Sequence, residues 1–150
     1  MKSLVYQDTP RYDLWLKLII AAVLLATFIP GLLLLPDEPD EALAMFGVTL
    51  FVSLLLKAVL PRRFQIFEDG LRIVLGGPFG INLPFAKLKK IRLVSQREAV
   101  FHWGVSFITS YRGVVEIAPK KGMAIFIAPS DSGRFLELAN QALQNALKSG

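Results

Sequence analysis

Two uninterrupted apolar runs constrain this chain more than any other feature of its sequence. They extend over residues 18–35 and 42–56, and the charged residues between them are all acidic: Asp37, Glu38, Asp40 and Glu41. At about 1.5 Å of rise per residue, a helix over the first run spans roughly 27 Å, close to the hydrocarbon thickness of a bilayer. We therefore expect residues 1–61 to form a transmembrane helical hairpin, with helices over about residues 14–35 and 42–60.

Basic residues lie on the outer sides of both apolar runs. Six flank the hairpin and none lies in the intervening loop: Lys2, Arg11, Lys17, Lys57, Arg62 and Arg63. Because positive charge near membrane ends is retained in the cytoplasm, we expect two spans in the cell inner (cytoplasmic) membrane with both termini cytoplasmic. A cleavable signal peptide is the alternative for the first run, but Asp8 and Asp13 disrupt the basic leader that it needs, and a second apolar run follows at once.

Residues 62–150 are predicted to form a separate cytoplasmic domain, in which short β-rich runs alternate with turns. Glu68-Asp69-Gly70 separates the runs 64–67 and 71–75, and Asp-Gly between apolar runs favours a hairpin because both positions tolerate a positive φ. Further runs at residues 81–83, 91–95, 100–109, 114–118 and 123–128 complete about seven strands. We expect an antiparallel meander, tethered to the hairpin by Pro61, Arg62 and Arg63.

The last element is a predicted amphipathic helix. Ser130 is the expected N-cap, and Asp131 in the first turn favours the helix dipole. Apolar residues then repeat at helical spacing, at Phe135, Leu138, Ala139, Ala142, Leu143 and Ala146. A helix with one apolar face can close an open end of a small bent sheet, so the predicted fold class is α+β.

Three stretches of the domain carry a family resemblance: residues 64–73, residues 83–85 leading to Ile91, and residues 125–130 leading to Phe135. In this order after a hairpin, they resemble the bacterial pleckstrin-homology (PH)-like domain family of membrane proteins. The resemblance implies an antiparallel β-sandwich or partly open barrel of about seven strands, with two near-orthogonal sheets and a capping C-terminal helix. It also implies a non-catalytic module that binds lipid or protein.

The domain carries a positive charge surplus. Residues 62–150 contain 13 Lys or Arg and 6 Asp or Glu, a net charge of +7 that suits an anionic cytoplasmic leaflet. No helix-turn-helix, RNP-like or zinc pattern accompanies it, so we expect no nucleic-acid partner. The candidate residues for binding lipid or a partner are Lys87, Lys89, Lys90 and Arg92, extended by Arg97, Arg112, Lys120 and Lys121. The alternative is a solvated charged rim that keeps the domain soluble.

Residue supply argues against catalysis. The chain has no cysteine, and its one histidine, His102, lies in an apolar run where a structural role is expected. Residues 76–80 are expected to form a turn and not a phosphate loop, because no Lys-Ser/Thr pair follows. We expect no catalytic, cofactor or metal site. The expected function is a non-enzymatic, membrane-anchored binding or scaffold module for a protein partner or anionic phospholipid. The alternative is an accessory or assembly subunit of a larger membrane complex, as a transporter or enzyme component.

Overall fold

The computed structural model describes residues 3–101 and 103–148, so His102 and its expected structural role lie outside the described residues. Two long helices, two four-stranded sheets and a C-terminal helix form an α+β architecture. The elements in chain order are β1 (Leu4–Asp8), α1 (Leu14–Leu34), α2 (Pro39–Val59), β2 (Pro61–Phe67), β3 (Gly70–Leu75), β4 (Gly80–Pro84), a 3-10 turn (Phe85–Lys87), β5 (Leu88–Val94), α3 (Gln96–Val100), β6 (Gly104–Phe107), β7 (Val114–Pro119), β8 (Ala124–Ile127) and α4 (Ser132–Lys148).

Helices α1 and α2 form a hairpin, and each is long and apolar enough to cross a membrane. The two helices approach closely at Gly31, where a Cβ atom would lie 2.8 Å from the ring of Phe46. Phe46 also contacts Phe28, with 5.4 Å between ring centroids. The hydroxyls of Thr49 and Ser53 donate to carbonyls one turn earlier in α2. Helix geometry places that carbonyl within reach of a Ser or Thr side chain.

The first sheet contains strands from both sides of the hairpin, in the order β1-β2-β3-β4, with antiparallel neighbours throughout. Sequence analysis assigned residues 1–61 to the hairpin and found no strand there. In the structure, Leu4–Asp8 pairs with β2, for example Gln7 opposite Gln65. The hairpin is therefore an insertion between two neighbouring strands, and the chain returns to the same sheet after it.

The second sheet has the order β5-β7-β8-β6. Its edge strand β6 runs parallel to β8, so the expected antiparallel meander is wrong for this strand. The expected strand over residues 100–109 is also shorter, because Gln96–Val100 forms the helix α3. Ser95 and Glu98 form a capping box at its start, a Ser-x-x-Glu signal visible in the sequence. The connection that contains α3 joins β5, at one edge of the sheet, to β6 at the other edge. The two sheets do not close into a barrel.

Helix α4 and apolar residues of both sheets share one core. Phe135 of α4 is buried and meets Phe64 of β2 edge to face, with ring centroids 6.3 Å apart. Asp131, and not Ser130, caps the helix: its Oδ1 accepts the Arg134 backbone N–H at 3.0 Å. The Ser130 hydroxyl donates to the Asp8 carboxylate instead, because strand β1 brings that carboxylate beside the start of α4.

Candidate binding surfaces

The sheets join the hairpin without a free linker. Helix α2 ends at Val59 and β2 begins at Pro61, so the expected three-residue tether is part of the sheet. On the other side, the Arg11 and Asp13 backbone N–H groups donate to the carbonyls of Ala128 and Thr109, at 2.9 and 3.0 Å. We call residues 13–15 and 58–61 the base of the hairpin. Both chain segments at the base are thus hydrogen-bonded to the sheet domain.

Aromatic side chains reinforce the base. The ring of Trp15 stacks on Tyr111 of the β6–β7 loop, with centroids 5.3 Å apart. The Tyr12 hydroxyl donates to the Pro61 carbonyl at 2.5 Å, which joins the segment before α1 to the segment after α2. Burial raises the pKa of the Tyr12 hydroxyl above its ordinary value, while the Arg62 charge opposes this effect. These residues bind the hairpin to the domain.

The β3–β4 turn packs against the last turn of α2. The Gly76 backbone N–H donates to the Leu60 carbonyl at 3.0 Å. A Cβ atom on Gly76 would lie 1.6 Å from the Lys57 carbonyl oxygen, so only glycine fits this approach. The expected turn over residues 76–80 is confirmed, and the structure adds that it docks onto the hairpin.

The lysines of the candidate site lie at the other end of the second sheet. Lys87, Lys89 and Lys90 are exposed at the start of β5, and the Lys120 backbone N–H donates to the Lys87 carbonyl. This end is separated from the Tyr111 loop by the length of β7, about 20 Å at 3.3 Å per residue. We call the end that carries these lysines the distal end of the second sheet. Along the strand direction, these lysines lie far from the loop that contacts the hairpin.

Arg92 differs from the three lysines. Its Nε forms an ion pair with Glu116 on the neighbouring strand β7, directly opposite in register. A second carboxylate, that of Glu98 in the α3 capping box, lies 3.6 Å from Arg92 Nη1. Two acidic neighbours offset the charge of Arg92, which makes it a weaker candidate than the lysines for attracting an anionic ligand.

Two aromatic side chains of the loop between α3 and β6 stand almost fully in solvent. Phe101 is 85% exposed and Trp103 is 94% exposed. Trp103 immediately precedes β6, whose first residue Gly104 pairs with Ala124, so Met123 lies at the same end of the sheet and is also exposed. The floor between the aromatic rings and Arg92 forms a shallow depression of about 270 Å³. Sequence analysis placed both aromatic residues in the expected strand over residues 100–109, but in the structure they lie in the loop between α3 and β6.

Exposed aromatic and basic side chains characterise this surface, at Phe101, Trp103 and the lysines of the distal end. Within residues 3–101 and 103–148, there is no group of three or more His, Cys, Asp or Glu side chains that could hold a metal ion. Burial raises the pKa of the Tyr6 hydroxyl above its ordinary value. The nearby negative charges of Asp8 and Asp131 raise it further.

Sequence reasoning missed three features of these surfaces: strand β1, the exposed aromatic pair, and the docking of the turn at Gly76. A signal existed for the second, since the Ser95-x-x-Glu98 capping box predicts a helix that interrupts the apolar run. The chain was compared with protein-family models, curated proteins and solved structures, and it matches none of them. The resemblance to PH-like membrane proteins thus stays a prediction.

Proposed function

We propose that this protein is a non-enzymatic, membrane-anchored docking module with a PH-like domain. The hairpin anchors the chain in the inner membrane, and the distal end of the second sheet binds a protein partner. The observation that carries the proposal is the near-complete exposure of Phe101 and Trp103 on a domain attached to the hairpin at both of its chain ends. Clustered exposed aromatic side chains on a folded domain are typical of protein interfaces.

The distal end also specifies the chemistry of the partner. Exposed lysines lie at the same end of the sheet as Trp103: Lys87 and Lys89 are at the start of the opposite edge strand β5, and Lys120 and Lys121 follow β7. A partner surface with an apolar part and a neighbouring acidic part is complementary to this arrangement. The lysines set the orientation and rate of encounter, and the aromatic rings supply most of the affinity.

Site-specific photocrosslinking in native membranes tests the proposal. A photoreactive phenylalanine analogue replaces Trp103 in one variant and Leu147 in a control, since Leu147 is an exposed apolar residue on α4. We expect a discrete adduct with one membrane or cytoplasmic protein from position 103 and none from position 147. Absence of an adduct at position 103, or equal adducts at both positions, contradicts the proposal.

Binding of the captured protein is then measured with purified full-length variants. Replacing both Phe101 and Trp103 by Ser should weaken binding by about 30-fold or more, the usual effect of losing an aromatic hot spot. Thermal unfolding should stay unchanged because both rings are exposed. Replacing Lys87, Lys89 and Lys90 by Gln should slow association and reduce its dependence on salt.

The alternative is an accessory or assembly subunit whose helices bind other membrane helices. Gly47 on α2 favours it, since no atom lies within 4 Å of the position of a Cβ there, and small residues allow close helix approach. The same crosslinker at residue 47 distinguishes the two functions: adducts from position 47 without adducts from position 103 favour the subunit.

A further inference from the structure

Three arginines lie on the outer side of the first sheet, next to the base of the hairpin. Phe64 and Ile66 of β2 are buried in the core, so the intervening positions, including Arg63, face outward. In β3, the burial of Leu71 and Ile73 likewise turns Arg72 and Val74 outward. Arg62 lies in the irregularity between Pro61 and Arg63 and lines the same surface depression as Arg63. The alternation of the strands thus places Arg63 and Arg72 on one face, and the depression adds Arg62.

The register of the sheet places Arg63 on one side of Val74 and Gly80, below the Arg72 guanidinium, on the other. Arg63, Val74 and Gly80 lie side by side across β2, β3 and β4. Gly80 has no side chain, and Arg72 occupies the space above it: a Cβ atom on Gly80 would lie 3.4 Å from Arg72 Nε. With strands about 4.8 Å apart, the backbones at Arg63 and Gly80 are separated by about 10 Å. A phosphate group above Val74 would therefore be within reach of both arginines.

Within residues 3–101 and 103–148, the acidic side chains of the first sheet lie away from this face. Asp8 of β1 is buried, and Glu68 and Asp69 occupy the β2–β3 turn at the end of β2 opposite the hairpin. The acidic partners Glu98 and Glu116 pair with Arg92 in the other sheet. Arg62 and Arg63 border an open depression of about 440 Å³, whose other lining residues are Gln65, Val74, Leu75 and Gly77. Its charge is complementary to a phosphate anion.

The position of the depression indicates where that anion comes from. Gly77, which lines the depression, packs against the last turn of α2. A Cβ atom on Gly77 would lie 3.4 Å from the Cβ of Ala58. If α2 crosses the bilayer as proposed above, this part of the depression lies at the depth where headgroups meet the end of the helix. We infer that Arg62, Arg63 and Arg72 bind the phosphate headgroup of an anionic phospholipid from the same bilayer. The inference rests on the proposed membrane anchorage and assigns lipid binding to this face, away from Lys87, Lys89 and Lys90.

Competition between two lipids tests the inference on the full-length chain, because residues 62–150 alone would lack strand β1. The purified protein in mild detergent is mixed with equal amounts of phosphatidylglycerol and phosphatidylcholine, and bound lipid is counted by native mass spectrometry. Each basic group near an anionic surface contributes about a fivefold preference, so three predict a preference of roughly 100-fold for phosphatidylglycerol. Replacing Arg62, Arg63 and Arg72 by Gln should abolish this preference.

The matched control replaces Lys87, Lys89 and Lys90 by Gln, which removes the same charge from the distal end and should leave the preference unchanged. Should the triple arginine variant fail to fold, Arg63→Gln alone should lower the preference about fivefold. Equal preference in the arginine variants and the wild type overturns the inference, as does complete displacement of phosphatidylglycerol by millimolar inorganic phosphate, which would indicate a free-phosphate site.

A separate measurement distinguishes this inference from the proposed anchorage. Extraction of membranes with alkaline carbonate should leave the wild-type chain in the pellet. Release into the supernatant would contradict the anchorage and, with it, a bilayer headgroup as the ligand. Retention in the pellet without any preference for phosphatidylglycerol would contradict the headgroup site alone.

Discussion

The Asp8 carboxylate accepts a hydrogen bond from the backbone N–H of Asp131, with 2.9 Å between Oδ2 and N. The same carboxylate accepts from the Ser130 hydroxyl and from the Thr9 backbone N–H, at 2.7 Å for the latter. Strand β1, which precedes the hairpin, is thus bonded to the start of α4, the last helix of the chain. Asp8 closes the domain by joining its first and last elements.

Replacing Asp8 by Ala should destabilise the protein by about 1–3 kcal/mol, since it leaves buried donors without an acceptor. Thermal or urea unfolding of the full-length chain in detergent measures the loss. Asp13→Ala is the matched control, because the Asp13 side chain makes no capping hydrogen bond to α1. A similar loss in both variants would show that the carboxylate contacts of Asp8 contribute nothing specific.

Gly76→Ala should disturb the contact between the β3–β4 turn and α2. The added methyl group would meet the Lys57 carbonyl, a backbone atom that cannot rotate away, so we expect a loss of about 1–3 kcal/mol. Gly77→Ala is the control, since its Cβ meets only ordinary contacts at 3.4 Å and should change stability by about 0.5 kcal/mol or less. If both variants unfold like the wild type, the turn does not dock on the helix.

Phe135→Ala should cost about 3–5 kcal/mol, because the ring is 1% exposed and fills the core shared by both sheets. The control on the same helix is Leu147→Ala, an exposed site where little change is expected. A double-mutant cycle with Phe64→Ala should give a coupling of about 0.5–1.5 kcal/mol, as an edge-to-face aromatic pair predicts. An unaltered melting temperature in Phe135→Ala would place α4 outside the core.

Tyr12→Phe removes the hydrogen bond to the Pro61 carbonyl and should cost about 0.5–1.5 kcal/mol at neutral pH. Burial raises the pKa of Tyr12 in the folded state. The stabilisation is therefore complete below the unfolded pKa of about 10 and is lost as the pH rises through the folded pKa. Unfolding measured between pH 8 and pH 12 should show the difference between wild type and variant shrinking at the alkaline end. A constant difference would contradict the shift.

The topology of the hairpin stays a prediction from charge: the loop of residues 36–41 is external and the sheet domain cytoplasmic. Since the chain has no cysteine, single cysteines at Asp40 and at the exposed Gln144 report each side separately. A membrane-impermeant thiol reagent on intact cells should label position 40 and not position 144. Labelling of position 144 would reverse the orientation. Position 144 is used for the cytoplasmic side because Ser149, nearer the predicted cytoplasmic C-terminus, lies outside the described residues.

Local patterns in the sequence predicted much of the secondary structure. The Asp69-Gly70 turn, the runs around it and the apolar spacing that includes Phe135 all correspond to elements of the structure. Such features depend on a few neighbouring residues, through turn geometry and helical periodicity. The candidate site was harder to predict, because Glu116, which offsets the charge of Arg92, is 24 residues away and adjacent only in the folded sheet.

The sequence by itself determined that two helices long and apolar enough for a membrane precede a β-rich domain with a closing helix, because hydrophobic length and periodicity are local properties. Only the tertiary structure decided that Leu4–Asp8 joins β2 across the hairpin, that β6 runs parallel to β8, and that Trp103 stands in solvent. Strand pairing is a long-range choice: it depends on which edges meet after the hairpin and α3 have redirected the chain. The arginine face follows from the same choice, since Arg63 and Arg72 share it only through the register of β2 and β3.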